Sequence, residues 1–104
     1  MDLEQRRLQL HEILVGILGN ENVYFQPPAN LVMQYPCIRY ERDRADAKFA
    51  DNQLYRYTQR YTVTLIDRDP DSDKIFKIAS LPLSAHERWY AADNLNHDVF
   101  NLYF

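Results

Sequence analysis

A chain of 104 residues holds one domain with a single modest core, spanning residues 1–104, and leaves no room for an enzyme with a second substrate domain. Its composition, 46% hydrophobic and 26% charged, is that of a soluble globular protein, and a net charge of -3 argues against clamping nucleic acid with a wholly basic surface, leaving only a local patch open. A single cysteine, Cys37, excludes an intrachain disulfide and the usual multi-Cys zinc sites, which points to a reducing compartment.

No apolar run approaches the ~18 residues of a membrane span, and Met1 is followed by an acid rather than by the basic start of a signal peptide, so folding in cytoplasm is expected. Asp2 can cap a helix, with Gln5 in capping-box position, and Leu3, Leu10, Leu14 and Ile17 then form one stripe at helical spacing. Arg6 and Arg7 flank its first turn and should snorkel outward, and Gly19-Asn20 supplies the stop. Glu21 to Gln26 happens to fit Glu-x-x-Tyr-x-Gln, a potyviral protease site, but Pro27 stands where that protease needs a small residue. Asn22 to Gln26 therefore reads as part of the fold, a brief edge strand stopped by the rigid Pro27-Pro28 corner.

A second extended stretch is expected from about Met33 to Arg42, with Pro36 marking an edge or bend. Residues 43 to 53 are polar, with several Asp and Asn, and read as a mobile loop anchored by Phe49. The strongest strand follows, Tyr55, Tyr57, Tyr61, Val63 and Leu65 on the core face and Arg56, Thr58, Arg60, Thr62 and Thr64 on a wet one. Asp69-Pro70 is expected to open a short helix ended by Leu81-Pro82. Leu83 to Ala92 and Asp98 to Phe104 then give two extended runs joined by a hairpin or tight loop with αL-tolerant Asn94 and Asn96. The order α-β-β-β-α-β-β is that of an α+β domain with a mainly antiparallel sheet, an N-terminal amphipathic helix and a short helix between strands.

Chemistry-bearing patterns are few. Asp67, Asp69, Asp71 and Asp73 alternate as in a calcium loop, but Ser72 stands where an EF-hand needs Gly and Ile78 where it needs a bidentate Glu, which favours carboxylates that end a strand, cap a helix and face solvent. Glu41, Asp43, Asp67 and Lys74 would suit a metal nuclease only if the fold gathered them, since no spacing does. Cys37 beside His86 or His97 with Asp98 would make a nucleophile, yet a thiol in a strand with no helix N-terminus behind it reads as buried and structural. Basic and aromatic residues interleave at Arg39, Tyr40, Arg42 and Arg44 and again at Arg56, Tyr57, Arg60 and Tyr61, as in a nucleic-acid platform. On a strand that interleaving segregates the two kinds to opposite faces, and with a net acidic chain it favours protein partners over nucleic acid.

VYFQPP (23–28), YPCIRYERD (35–43), KFADNQLYRYTQRYTVTLIDRDPDSD (48–73) and WYAADNLNHDVFNLYF (89–104) together resemble the small tail-completion, or tail-terminator, proteins encoded among the neck and tail genes of long-tailed, siphovirus-like phages. The resemblance covers Val23 to Phe104, nearly the whole chain. It implies a structural virion protein with no active site and no cofactor, one that caps the finished tail tube as a ring, usually of six copies, and presents a surface to the head connector. DNA would pass through the lumen without specific binding, no membrane would be involved, and the protein would sit at the head-tail neck of the virion. Head-completion proteins from neighbouring neck genes are the alternative. Residues expected to meet a neighbouring subunit or partner are Tyr24 and Phe25 on the first edge strand, Arg42, Arg44, Lys48 and Phe49, and Arg56 and Arg60 on the wet face of the central strand.

Overall fold

A computed structural model describes residues 2–104, the side chain of Tyr55 excepted, so the expected place of that side chain on the core face lies outside the described residues. The elements run α1 (Leu3–Leu18), β1 (Val23–Phe25), β2 (Cys37–Ala50), β3 (Gln53–Asp67), α2 (Asp73–Ala79), β4 (Ser84–Ala92) and β5 (Leu95–Tyr103), the α+β order expected. The five strands form one sheet in the order β1-β2-β3-β5-β4. All pairs are antiparallel except β1 with β2, which are parallel, so the crossover from Gln26 to Pro36 must pass over the sheet. It passes on the face away from α1, where the Gln34 amide donates to the Tyr24 hydroxyl at 3.2 Å.

Local chemistry sets α1. The Asp2 carboxylate accepts from the Gln5 amide at 2.8 Å while the Gln5 side chain accepts from the Asp2 amide at 3.1 Å, a complete capping box. Gly19 ends the helix at φ 82, the left-handed position that a side chain disfavours. The buried stripe is Leu10, Leu14 and Leu18; Leu3 is exposed and Ile17 half-buried, so the helix lies on the sheet rotated slightly from the expected centre. Fully burying each leucine contributes about 1.5–3 kcal/mol. Beneath them lie Ile38 and Tyr40 of β2, Tyr61, Val63 and Leu65 of β3, and Phe100 and Leu102 of β5.

Tyr40 is among the largest fully buried side chains and joins helix to sheet. Its ring packs on Phe25 at 5.0 Å and edge-on to Tyr61 at 6.0 Å, while its hydroxyl lies 2.8 Å from His11 Nδ1 and receives a 3.5 Å contact from Arg7. With Arg7 donating to the phenol oxygen, the Tyr40 proton is free to go to a neutral His11, and burial together with the nearby Arg7 cation holds the His11 pKa below its ordinary value. Arg7 does not simply snorkel outward: its guanidinium also lies 4.2 Å over the Phe25 ring.

The largest departure from expectation is residues 43 to 53, which form a β-hairpin in place of a mobile loop. β2 and β3 pair all the way to Ala50 and Gln53, across a two-residue turn in which Asp51 and Asn52 both have positive φ, 53 and 61. That is the primed turn whose twist matches a hairpin, and Asp and Asn tolerate it. Beyond Arg60, β5 no longer pairs with β3, and β1 ends opposite Tyr40, so the outer hairpin has no third strand. At ~3.3 Å per residue, Gln53–Gln59 carries this arm roughly 23 Å past the body. The molecule is accordingly 52 Å long and only 24 Å wide, with a radius of gyration of 14.8 Å, against the ~13 Å of a compact chain of this length.

Other boundaries shift by a few residues. β2 starts at Cys37, immediately after Pro36 rather than around it, because Pro36 has no amide to give a ladder. α2 starts at Asp73 under a Ser72 cap, and Asp69-Pro70 instead makes the loop before it, the Asp67 and Asp69 carboxylates each accepting an amide two residues on. The β4–β5 turn is Asp93-Asn94, with φ 55 and 62, and Asn96 belongs to β5.

The two glycines of α1 should answer substitution with opposite signs. Gly16 lies mid-helix with open space where a methyl group would sit, so Gly16→Ala should stabilise by about 1 kcal/mol, whereas Gly19→Ala, equally unobstructed but left-handed, should cost about 1 kcal/mol; urea unfolding reads both.

Candidate subunit interface

Most of the residues expected to meet a partner converge on the arm. Paired residues of adjacent strands share a face, and the register puts Arg44 opposite Arg60, Asp46 opposite Thr58 and Lys48 opposite Arg56 on one side, with Ala45 opposite Gln59 and Ala47 opposite Tyr57 on the other. The arm thus has a basic face and a face of small and aromatic side chains. At the tip Phe49 stands opposite Leu54, and the two are 69% and 58% exposed. Phe49 is not an anchor into the core, as expected from the sequence, but an apolar end held out in solvent.

Like charges directly opposite one another destabilise a ribbon, and two such pairs sit here. The first is relieved at the root of the arm. Asp43 is the extra residue of a bulge between Arg42 and Arg44, and its carboxylate pairs with Arg60 at 2.7 Å and accepts from Thr62 at 3.1 Å. Arg44 reaches Asp46 at 3.4 Å. Among the described residues Lys48 and Arg56 have no ion-pair partner, which leaves the outer pair uncompensated.

Gln59, which the sequence pattern did not single out, locks the bulge. It is buried on the core face between Tyr57 and Tyr61, accepts from Arg42 Nε at 3.2 Å, and donates to the carbonyls of Arg44 at 3.0 Å and Arg60 at 2.9 Å. A glutamine inside an aromatic alternation is the one signal that could have revealed it.

Tyr24 and Phe25 lie apart from the arm, on the β1 edge, both half-buried: Phe25 packs under Arg7 and against Tyr40, and Tyr24 holds the crossover. They support the fold more than they present a surface. The second sheet edge, β4, is exposed along its length, with Trp89 77% accessible and a bulge between His86 and Arg88.

The chemical alternatives do not assemble. Among the described residues no three His, Cys, Asp or Glu side chains gather where they could hold a metal ion. Of the alternating aspartates, Asp67 and Asp69 hold backbone amides and Asp73 pairs with Lys77 at 3.4 Å. Cys37 and His97 are two strands apart, both opposite Ile66, roughly 10 Å in a sheet. His86 donates from Nε2 to the buried Asp98 at 3.1 Å, but Asp98 stands opposite Leu65, two strands from Ile38 rather than beside Cys37. Cys37 is fully buried, and burial pushes its thiol up to about 11. No helix among the described residues is long and apolar enough to cross a membrane. Compared with known proteins, the chain matches no family model and no curated protein.

Two outcomes follow from this geometry. Gln59→Leu strands the Arg42 Nε and two carbonyls, so it should cost roughly 1–3 kcal/mol and speed hydrogen exchange selectively at arm amides. Raising the pH from 9 towards 11 should lower stability, because the unfolded thiol ionises from 9.0 while the folded one keeps its proton to about 11, and the buried phenols of Tyr40 and Tyr61, also raised by burial, act in the same direction. Urea unfolding across that range should show a shallower decline in Cys37→Ala than in the natural chain.

Proposed function

We propose that the protein is a structural virion protein that caps the completed tail tube of a long-tailed phage as a homo-oligomeric ring, six copies in its usual form, and joins it to the head connector without enzymatic activity. The observation that carries this reading is the arm. A two-stranded ribbon is marginal by itself in water, and this one ends in an exposed Phe49-Leu54 pair with two uncompensated cations a row behind. Such a feature is a liability on a monomer and a connector in an assembly.

The rest of the molecule suits that role. A contact in which one surface of a copy meets a different surface of the next generates a ring when the rotation closes. A subunit with a net charge of -3 lets DNA pass through a lumen without sticking. The four segments that resemble tail-completion proteins include the arm's tip and outgoing strand, the central strand and the C-terminal hairpin. The same features fit a head-completion ring, and the position on the particle separates the two.

Light scattering of the purified protein should give a mass near six subunits, and antibody labelling should place it on the head-proximal end of separated tails rather than on heads. A strictly monomeric protein that is absent from purified particles overturns the reading, as does salt-sensitive, high-affinity binding to DNA through Arg56 and Arg60, which would make the basic face a nucleic-acid site.

A further inference from the structure

Where the N-terminal half of α1 meets the root of the arm, a cavity of about 250 Å³ opens between Arg7, Phe25, Arg42, Gln59 and Tyr61. Two cations line it and neither is neutralised. Among the described residues Arg7 and Arg42 have no ion-pair partner. Arg7 is fixed instead by the Phe25 ring at 4.2 Å and the Tyr40 hydroxyl at 3.5 Å. Arg42, the last residue of β2 before the Asp43 bulge, is fixed by its Nε, which donates to Gln59 at 3.2 Å and leaves both amino groups without an acceptor among the described residues.

Tyr61 carries a second, independent sign of a ligand. The residue is 3% exposed and lines the cavity, yet its hydroxyl has no hydrogen-bond partner among the described residues, a costly state for a buried phenol unless something in the cavity supplies one. Burial raises its pKa, and the charges of Arg7, Arg42 and Arg6 oppose that rise, so three guanidiniums bear on one phenol. The one carboxylate among the lining residues, Glu4 on the first turn of α1, is exposed and makes no ion pair among the described residues.

We propose that this cavity binds a compact oxyanion, a carboxylate or a phosphate group, held between the Arg7 and Arg42 guanidiniums with the Tyr61 hydroxyl donating to it. Planar guanidinium forks match the paired oxygens of both groups, and a buried hydroxyl adds a donor that plain surface cations lack. The bound anion offsets the repulsion between the two cations and ties α1 to the root of the arm. On the opposite face of that root the Asp43 carboxylate does the same for Arg60. The site lies within one copy of the chain and does not rest on the ring reading.

The test is titration of the natural chain with inorganic phosphate at neutral pH and low ionic strength, followed by nuclear magnetic resonance. Saturable shifts should appear at the Nε–H groups of Arg7 and Arg42 and not at that of Arg88, which lies over the Tyr90 ring on β4. Tyr61→Phe should weaken binding by about tenfold and Arg42→Gln by at least about tenfold, whereas Glu4→Gln, which removes a like charge from the cavity, should tighten it about threefold. Each variant is checked for native circular dichroism. Arg42 also holds Gln59, so Tyr61→Phe, which removes only a hydroxyl, decides the matter if Arg42→Gln does not fold. Shifts that stay linear in phosphate concentration, or an affinity unchanged in Tyr61→Phe, would overturn the proposal. Light scattering at saturating phosphate separates the two sources of the natural anion: an unchanged mass assigns the site to a free ion, and a fall in mass assigns it to a carboxylate of another copy that phosphate displaces.

Discussion

Strand β3 has to serve two environments with one alternating pattern. From Tyr61 to Asp67 it lies between β2 and β5 with Tyr61, Val63 and Leu65 under α1, and from Gln53 to Gln59 it has β2 alone. A strand alternates its faces, so the face that is core in the body continues into the arm as far as the register shift between Lys48 and Phe49. The transition is held by polar groups. Gln59 satisfies the carbonyls that the Asp43 bulge leaves over, Arg42 satisfies Gln59, and Arg60 is neutralised by Asp43 on the opposite face. Buried polar groups cost stability unless partnered, and the residues around the bulge partner Gln59 and one Arg60 amino group, while Arg60 Nε is buried without a partner among the described residues. The arm therefore leaves the body at a defined residue and in a defined direction.

The body end of β3 is fixed through Tyr40. A capped helix of this length is marginal alone, and most of its stability comes from the sheet. Leu10, Leu14 and Leu18 supply the apolar contact, while Tyr40 adds direction by meeting Arg7 and His11 on successive turns of α1. That network also draws in β1, since Arg7 covers Phe25 and Phe25 packs on Tyr40. A three-residue parallel strand has few ladder bonds of its own, and this packing is what keeps it in the sheet.

Apolar side chains remain exposed at several places, Val32 of the crossover and Leu83 before β4 among them. The sheet faces are occupied by helix, crossover and long side chains, whereas the arm tip, the groove beside α2 and the β4 edge are left uncovered. The arm tip and the groove are both apolar, and the tip carries the cations Lys48 and Arg56 one row behind it. The hydrogen bonds of Asp67, Asp69 and His86 are internal. Polar chemistry in this molecule serves to hold a shape, which is what the proposed assembly role requires of it.

Features governed by a few neighbouring residues were legible in the sequence: the Asp2-Gln5 box, the Gly19 stop, the short Val23–Phe25 strand before two prolines, the burial of Cys37 and the order of the elements. Each depends on contacts within one turn or on a local apolar pattern, so composition and spacing suffice. The arm was not legible, because Asp, Asn and Ala between residues 43 and 53 have the composition of a loop and only pairing with β3 makes them a strand. Nor could spacing show that β1 would pair in parallel, that Gln59 would be buried to close a bulge, or that Phe49 would face solvent while Tyr40 became the hub. Sequence alone determined which segments outside the arm would be helix or strand and that one face of each was apolar. Tertiary structure decided register, where the third strand ends and which apolar surfaces go uncovered, because these depend on contacts between residues far apart in the chain.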